Sequence, residues 1–303
     1  MFDRPLVSIL INNYNYANFL SEAIDSCLKQ TYDKIEIIVV DDGSTDRSQT
    51  IIDSYGDRII PIIKENGGQA SAFNAGFARS EGSIICFLDA DDLFVSNKIE
   101  RIVDVFNDHS EVGWCFHPLL LVNQQHEPLD IEQNYSGNSG IYDIRDSLKK
   151  GKLNGKLPFN SIATSGLCYR RSLLEQLLPM PESIRITSDD YLKYAAFALS
   201  LGYALVEELS LQTIHDNNAY TLRTDKAALR AKININTAHL LKEKIPSIVK
   251  FTNNIFALGL SSYRQLSDKE QKTLLLIEEY FSDLKTIDKI EINVRSFYYR
   301  CRK

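Results

Sequence analysis

The chain has 303 residues, 44% hydrophobic and 24% charged, which suffices for one large domain plus an appendage with an ample core. A formal net charge of −6 excludes a general nucleic-acid binder, which needs a basic face. The five cysteines are odd in number and form no CxxC, so reduced, buried thiols are expected and a disulfide framework is not.

In chain order, Val7-Ser8-Ile9-Leu10-Ile11 reads as a β-branched strand, followed by the polar break Asn12-Asn13-Tyr14-Asn15-Tyr16. Leu20, Ala23, Ile24, Cys27 and Leu28 stand at helical spacing and predict a helix over 19–30. A second strand over 35–40 ends in Asp41-Asp42-Gly43-Ser44-Thr45-Asp46, which turns the chain and caps the next helix. A third strand over 59–63 leads to the turn Asn66-Gly67-Gly68 and a helix bearing Ala70, Phe73, Ala75, Phe77 and Ala78. Its small residues allow close packing, or let backbone approach a ligand.

The apolar run Ile84-Ile85-Cys86-Phe87-Leu88 then meets Asp89-Ala90-Asp91-Asp92. Carboxylates this crowded repel one another, and a buried one is costly unless paired or bound to a cation. One reading is a divalent metal site. The other is a solvated acidic turn before a helix from Ser96, with Asp92 or Ser96 as its cap. Alternating strands and helices give right-handed βαβ units and a parallel sheet. Both acidic motifs therefore leave the same sheet edge, where a nucleotide would lie. Neither GxGxxG after the first strand nor GxxxxGK[ST] is present, so no dinucleotide site or P-loop is indicated.

Residues 112–122 are strand-like, and 123–151 form a polar excursion of the kind that serves as a lid or stays disordered. The sequon Asn134-Tyr135-Ser136 lies inside it and reads as chance. A short helix over 144–150 and a strand over 167–169 follow, and Arg170-Arg171 reads as a helix start. Asp189-Asp190 opens a helix with Leu192, Ala195, Ala196 and Leu199 facing a core; acids there suit the helix dipole without further role. His215 follows an alternating strand and opens a polar loop. Helices over 225–245, 247–263 and 268–284 come next. The last sixteen residues carry Arg295, Arg300, Arg302 and Lys303 around Phe297, Tyr298 and Tyr299. They suit an anionic membrane surface or a solvated frayed terminus. No run reaches transmembrane length and no signal peptide is read, so a cytoplasmic location is expected, with peripheral membrane contact through this tail one of its two open readings.

The successive stretches 7–15, Asp41-Asp42-Gly43-Ser44-Thr45-Asp46, Asn66-Gly67-Gly68-Gln69-Ala70 with Asn74-Ala75-Gly76, and Asp89-Ala90-Asp91-Asp92 resemble the signatures of inverting family 2 glycosyltransferases of the GT-A fold. The resemblance covers roughly residues 5–225, and four motifs in order are specific where each alone is weak. One departure is the Asn12-Asn13 pair, where the family often has Pro-Thr or Thr-Ser. The resemblance implies a Rossmann-like α/β sheet with helices on both faces over 1–225, plus a C-terminal helical region over 226–303. It implies that a nucleotide-diphosphate sugar, with a UDP-sugar favoured, is bound by Asn12, Tyr14, Asp41, Asp42, Gly67, Gly68, Gln69, Asn74, Asp89, Ala90 and Asp91. Asn12 and Asp42 would face the base, and Asp89 or Asp91 the ribose. A divalent cation, Mn²⁺ or Mg²⁺, would be held by Asp91, Asp92 and His215, and Asp190 would be the catalytic base. The acceptor would be a hydroxyl of a glycan, a lipid-linked sugar or another molecule. Two other readings of the residues stay open. A sugar-nucleotide-forming nucleotidyltransferase normally needs Gly and a basic residue after the first strand, which 12–18 lacks. A non-catalytic sugar-nucleotide or glycan-binding module would share the edge without turnover.

Overall fold

The computed structural model describes residues 4–131, 137–152, 157–159, 162–216, 218 and 223–302. The sequon at 134–136 therefore lies outside the described residues. Contacts group the chain into two compact units. The first comprises Met1–Asp143, Lys156–Arg185 and Leu199–Asp216, and the second Ile144–Gly155, Ile186–Ala198 and Asn217–Lys303. The second unit thus draws two segments, 144–155 and 186–198, from within the stretch 1–225.

In the first unit, strand β1 (Val7–Asn13) pairs in parallel with β2 (Ile35–Asp41) on one side and β4 (Ile84–Asp89) on the other. Strand β3 (Ile60–Ile63) extends the parallel run beyond β2. Antiparallel β9 (Leu167–Arg170) then joins β4 to β6 (Trp114–Phe116), and β10 (Gly202–Ala204) and β8 (Gly140–Tyr142) complete an eight-stranded sheet in the order β3-β2-β1-β4-β9-β6-β10-β8. The central strands are apolar nearly throughout because helices cover both faces. Ile9, Ile11, Ile37, Val39, Cys86 and Leu88 share one core with Leu20, Ala23 and Ile24 of α1 (Ala17–Leu28) and Ile99, Ile102 and Phe106 of α4 (Lys98–Asp108). On the other face α3 (Gln69–Arg79) brings Phe73 to 4.6 Å from Phe87, ring to ring. A Cβ on its Gly76 would come within 3.2 Å of Val40. Truncating Ile9 or Leu88, both fully buried, to alanine would cost about 2–5 kcal/mol.

A second sheet is smaller, with β5 (Asp92–Phe94) antiparallel to β11 (Ser210–Thr213) and β7 (Leu120–Val122) parallel to it. Here the sequence reading needs correction. Asp92 does not cap the next helix; it begins β5, and α4 starts at Lys98 behind Asn97, with no side-chain cap bond. Residues 112–122 form two strands in different sheets, because Pro118 lacks the N–H that a continuous ladder requires. Arg170 and Arg171 act as staples. Arg170 donates to the carbonyls of Phe106, His109 and Val112, and Arg171 to Gly82 O, before α6 (Arg171–Leu177). Cys27, Cys86, Cys115 and Cys168 are the buried thiols expected, whereas Cys301 is exposed.

The second unit is helical among the described residues: α5 (Arg145–Lys149), most of α7 (Ser188–Leu199), α8 (Lys226–Lys244), α9 (Val249–Tyr263), α10 (Gln271–Ser282) and α11 (Thr286–Cys301). Helices α8 and α9 cross closely, for a Cβ on Gly259 would sit 2.8 Å from Ala231 O. The Tyr280 ring of α10 stacks on Phe256 at 3.9 Å, and its hydroxyl donates to Asn253 Oδ1 at 2.8 Å. Thr286–Cys301 is a helix, a stretch that reads from sequence as a basic and aromatic tail. No described helix is long and apolar enough to cross a membrane.

Candidate active site

The strand register lines up the predicted motifs. Asn13 lies opposite Asp41, and Asn12 opposite both Val40 and Asp89, so three strands end level at one edge. The side chains then interlock. Asn12 Nδ2 donates to Asp89 Oδ1 at 2.8 Å, and Gln69 Nε2 reaches the same oxygen at 3.3 Å and Thr164 Oγ1 at 3.2 Å. Asn13 Nδ2 donates to Asp41 Oδ2 and Ser44 Oγ, both at 3.1 Å, while the Ser44 N–H closes on Asp41 Oδ1 at 2.7 Å. Asp41 is thus spent on shaping its turn. The Oδ1 atoms of Asn12 and Asn13 are buried with no hydrogen-bond partner among the described residues, so the edge presents two acceptors without donors.

Asp42 is 4% exposed and takes three donors: Lys64 Nζ at 2.7 Å and Gly67 N at 2.9 Å on Oδ1, and Gly68 N at 2.6 Å on Oδ2. An ionised carboxylate offers about four acceptor directions, so about one remains. Glycine is required at 68. Its φ is +90°, and a Cβ there would lie 2.8 Å from Arg185 Cα. Lys64 was not singled out from sequence; its signal is only a lysine at the end of β3. Tyr14 follows β1 and is exposed, and Ala90 is buried with its N–H on Asn12 O at 3.2 Å. Asn74 stands apart. Its amide bonds the backbone of Met180 in both directions at 2.8 Å, a packing contact of α3.

Asp89, Asp91 and Asp92 each offer an oxygen, all within 4.8 Å of one another. His215 is buried against Phe19, stacked at 4.3 Å, with Nε2 at 3.1 Å from Asp91 Oδ2. Burial, reinforced by the charges of Asp91 and Asp89, pushes the Asp92 carboxyl well above its ordinary value. It is held by Ser165 Oγ, which donates to Oδ2 at 2.6 Å, and by the Thr213 N–H on Oδ1 at 3.2 Å. Ser165 is the hub below the acids: its hydroxyl also accepts the Asp89 N–H at 3.1 Å. Its carbonyl accepts the fully buried Lys98 ammonium at 2.6 Å and the Ser210 hydroxyl at 2.8 Å. Sequence reasoning missed Ser165 and Lys98. A lysine at a helix start reads as solvated, and Ser165 lies 73 positions from Asp92.

Asp190 belongs to the second unit, in the first turn of α7. Its Oδ1 pairs with Lys193 Nζ at 3.0 Å and its Oδ2 with Arg230 Nη1 at 2.5 Å, while Asp189 shares Lys193 at 3.0 Å. Burial alone would raise the Asp190 carboxyl, but Lys193 and Arg230 outweigh it and hold it below its ordinary value. For Asp189 burial prevails over Lys193 and the carboxyl is raised. The two acids are therefore driven apart by their surroundings.

The family model described as Glycosyl transferase family 2 matches residues 8–178, more than half of the chain. An uncharacterised glycosyltransferase of Nostoc sp. is 39% identical over 217 residues, 70% of this chain and 66% of that protein, so the chain spans just under two thirds of this curated relative's length. S. aureus TarS 1-349, solved in complex with UDP, has a TM-score of 0.61 at 18% identity over 94% of this chain and 77% of that one. The mannosyltransferase PcManGT from Pyrobaculum calidifontis, in complex with GDP-Man and Mn²⁺, has a TM-score of 0.53 at 17% identity over 99% of this chain and 87% of that one. At such identities the two structures show the fold, the expected GT-A sheet with helices following it. The family match spans β1 to α6 and so includes the whole edge formed by Asn12, Asp42 and Asp89, and on that ground the chain belongs to glycosyl transferase family 2.

Proposed function

We propose that this chain moves a sugar from a nucleoside-diphosphate donor, with a UDP-sugar favoured, to a hydroxyl acceptor with inversion at the anomeric carbon. The observation that carries the reading is one sheet edge where Asn12, Asn13, Asp41 and Asp89 stand in register, with Asp42 following directly on β2 and the Asp89–Asp92 cluster at the end of β4. Ligands of open α/β sheets bind at such an edge. The unpartnered Asn12 and Asn13 oxygens suit donors on a base or ribose. The remaining acceptor direction of Asp42 suits the N3–H of a uracil, and Asp89, aimed by Asn12 and Gln69, suits a ribose hydroxyl. Nucleotide-sugar binding by TarS and PcManGT supports the donor class and leaves the base open, since one neighbour carries UDP and the other GDP-Man.

The residues fit a divalent cation, Mn²⁺ or Mg²⁺, because buried Asp92 is destabilised by two neighbouring carboxylates and a cation removes that repulsion. Asp91, Asp92 and His215 would hold it. When bound, the ion supplies positive charge to the departing diphosphate. Asp190 takes the proton of the acceptor hydroxyl. Lys193 and Arg230 keep it ionised at neutral pH, the form able to accept a proton, while weakening it as a base. In this reading the reacting groups lie within 1–225, and Arg230 of the helical region 226–303 supports Asp190.

The test is turnover of UDP-sugars by the 303-residue chain with Mn²⁺, followed by NMR. The expected result is release of sugar whose first-formed anomer is inverted, abolished by EDTA. Tight donor binding without any turnover would identify a binding module instead, and a retained anomer would remove the single-displacement scheme.

A further inference from the structure

One face of α11 is a feature of the second unit that the proposed chemistry does not use. Ile287, Ile290, Val294, Phe297 and Tyr298 are each between 48% and 67% exposed. At about 100° per residue they share one stripe, and the buried Ile292 and Ser296 fall on the opposite side. A single exposed apolar side chain needs no explanation; five in one stripe do.

The charge around the stripe says what covers it. Residues 285–303 carry six cations (Lys285, Lys289, Arg295, Arg300, Arg302, Lys303) against Asp288 and Glu291, a local net of +4 in a chain of net −6. The Arg300 guanidinium lies 5.5 Å from the Phe297 ring and that of Arg302 lies 5.0 Å from the Tyr298 ring, so these cations border the apolar stripe. A second copy is disfavoured. Stacking would oppose two +4 segments with no acidic partner to offset them.

We infer that α11 is an interfacial helix that lays this stripe on an anionic lipid surface. Its apolar side chains enter the headgroup boundary, Phe297 and Tyr298 sit at headgroup level, and Arg300 and Arg302 meet lipid phosphates. The inference goes beyond sugar transfer, and vesicle binding is read without donor or acceptor, so the two stand or fall separately.

The test is co-sedimentation of the 303-residue chain with vesicles containing phosphatidylglycerol, against vesicles of phosphatidylcholine alone. Binding is expected to the first only, and to weaken in about 0.5 M salt. Ile290→Glu with Val294→Glu removes the stripe, and Arg300→Glu with Arg302→Glu removes the charge. Each pair is expected to lower vesicle partitioning about ten-fold or more, with helical content by circular dichroism unchanged. No binding by the unmodified chain, or binding by either variant pair equal to that of the unmodified chain, overturns the inference. So does a concentration-dependent dimer that Val294→Glu dissolves, which would assign the stripe to a second copy.

Discussion

Replacing Ser165 by alanine isolates what orders the acidic edge. The hydroxyl is fully buried, donates to Asp92 Oδ2 at 2.6 Å and accepts the Asp89 N–H at 3.1 Å. Alanine withdraws a donor from a carboxylate that burial already penalises, and an acceptor from a buried amide. A hydrogen bond to a charged group contributes about 1.5–3 kcal/mol and a neutral one about 1 kcal/mol. Lys98 still holds the Ser165 carbonyl, so the backbone stays in place. The expected loss is about 2–4 kcal/mol, or a fall in Tm of about 5–12 °C for a unit of this size. With its donor gone, Asp92 is also less readily ionised, and Mn²⁺ affinity should drop about ten-fold or more, as for other changes behind a metal ligand. Urea denaturation and Mn²⁺ calorimetry on the same variant read both effects. A loss below about 1 kcal/mol together with unchanged Mn²⁺ affinity would refute the strut role of Ser165.

Gly68→Ala forces a side chain into a φ of +90° with its Cβ 2.8 Å from Arg185 Cα, so it should cost about 1–3 kcal/mol and weaken UDP binding; an unchanged melting curve would contradict this. Asp190→Asn should lower single-turnover transfer by about two orders of magnitude while UDP binding persists; transfer near the unmodified rate would remove Asp190 from the base role. Because Asp190 is held below its ordinary value, its stabilising share is complete above about pH 4, the unfolded value, and is lost as pH falls through the lower folded one. An acid limb of the transfer rate near pH 6 would disagree with that assignment. Lys64→Met removes the ammonium 2.7 Å from Asp42 and should reduce the preference for UDP over GDP; calorimetry showing tighter GDP binding by the unmodified chain would overturn the pyrimidine assignment.

The parallel half of the sheet was legible because its strands are uninterrupted apolar runs separated by helical periodicity, and strand handedness then forces their C-terminal ends to one edge. That is why Asn12, Asp42 and Asp89 could be placed together from sequence. Strand β5 was not legible, since it is three residues long and opens on a carboxylate, which local preference assigns to a turn. The break between β6 and β7 has a local mark in Pro118, set within an otherwise strand-like run. The supports of the site were hidden for another reason. Ser165, Lys98, Lys64 and Arg230 act on Asp92, Ser165, Asp42 and Asp190 respectively, 22 to 73 positions away, and nothing in their own neighbourhoods marks them. The same holds for the compact units, because 144–155 and 186–198 join the later helices through tertiary packing that has no local signature.

The most direct test of the edge as a metal-assisted nucleotide site is calorimetric titration of UDP into the unmodified chain and into Asp91→Asn, with Mn²⁺ and with EDTA. The account predicts UDP binding at least about ten-fold tighter with Mn²⁺ than with EDTA, and loss of that difference in Asp91→Asn while the fold is retained. Equal UDP affinity in Mn²⁺ and EDTA would contradict it.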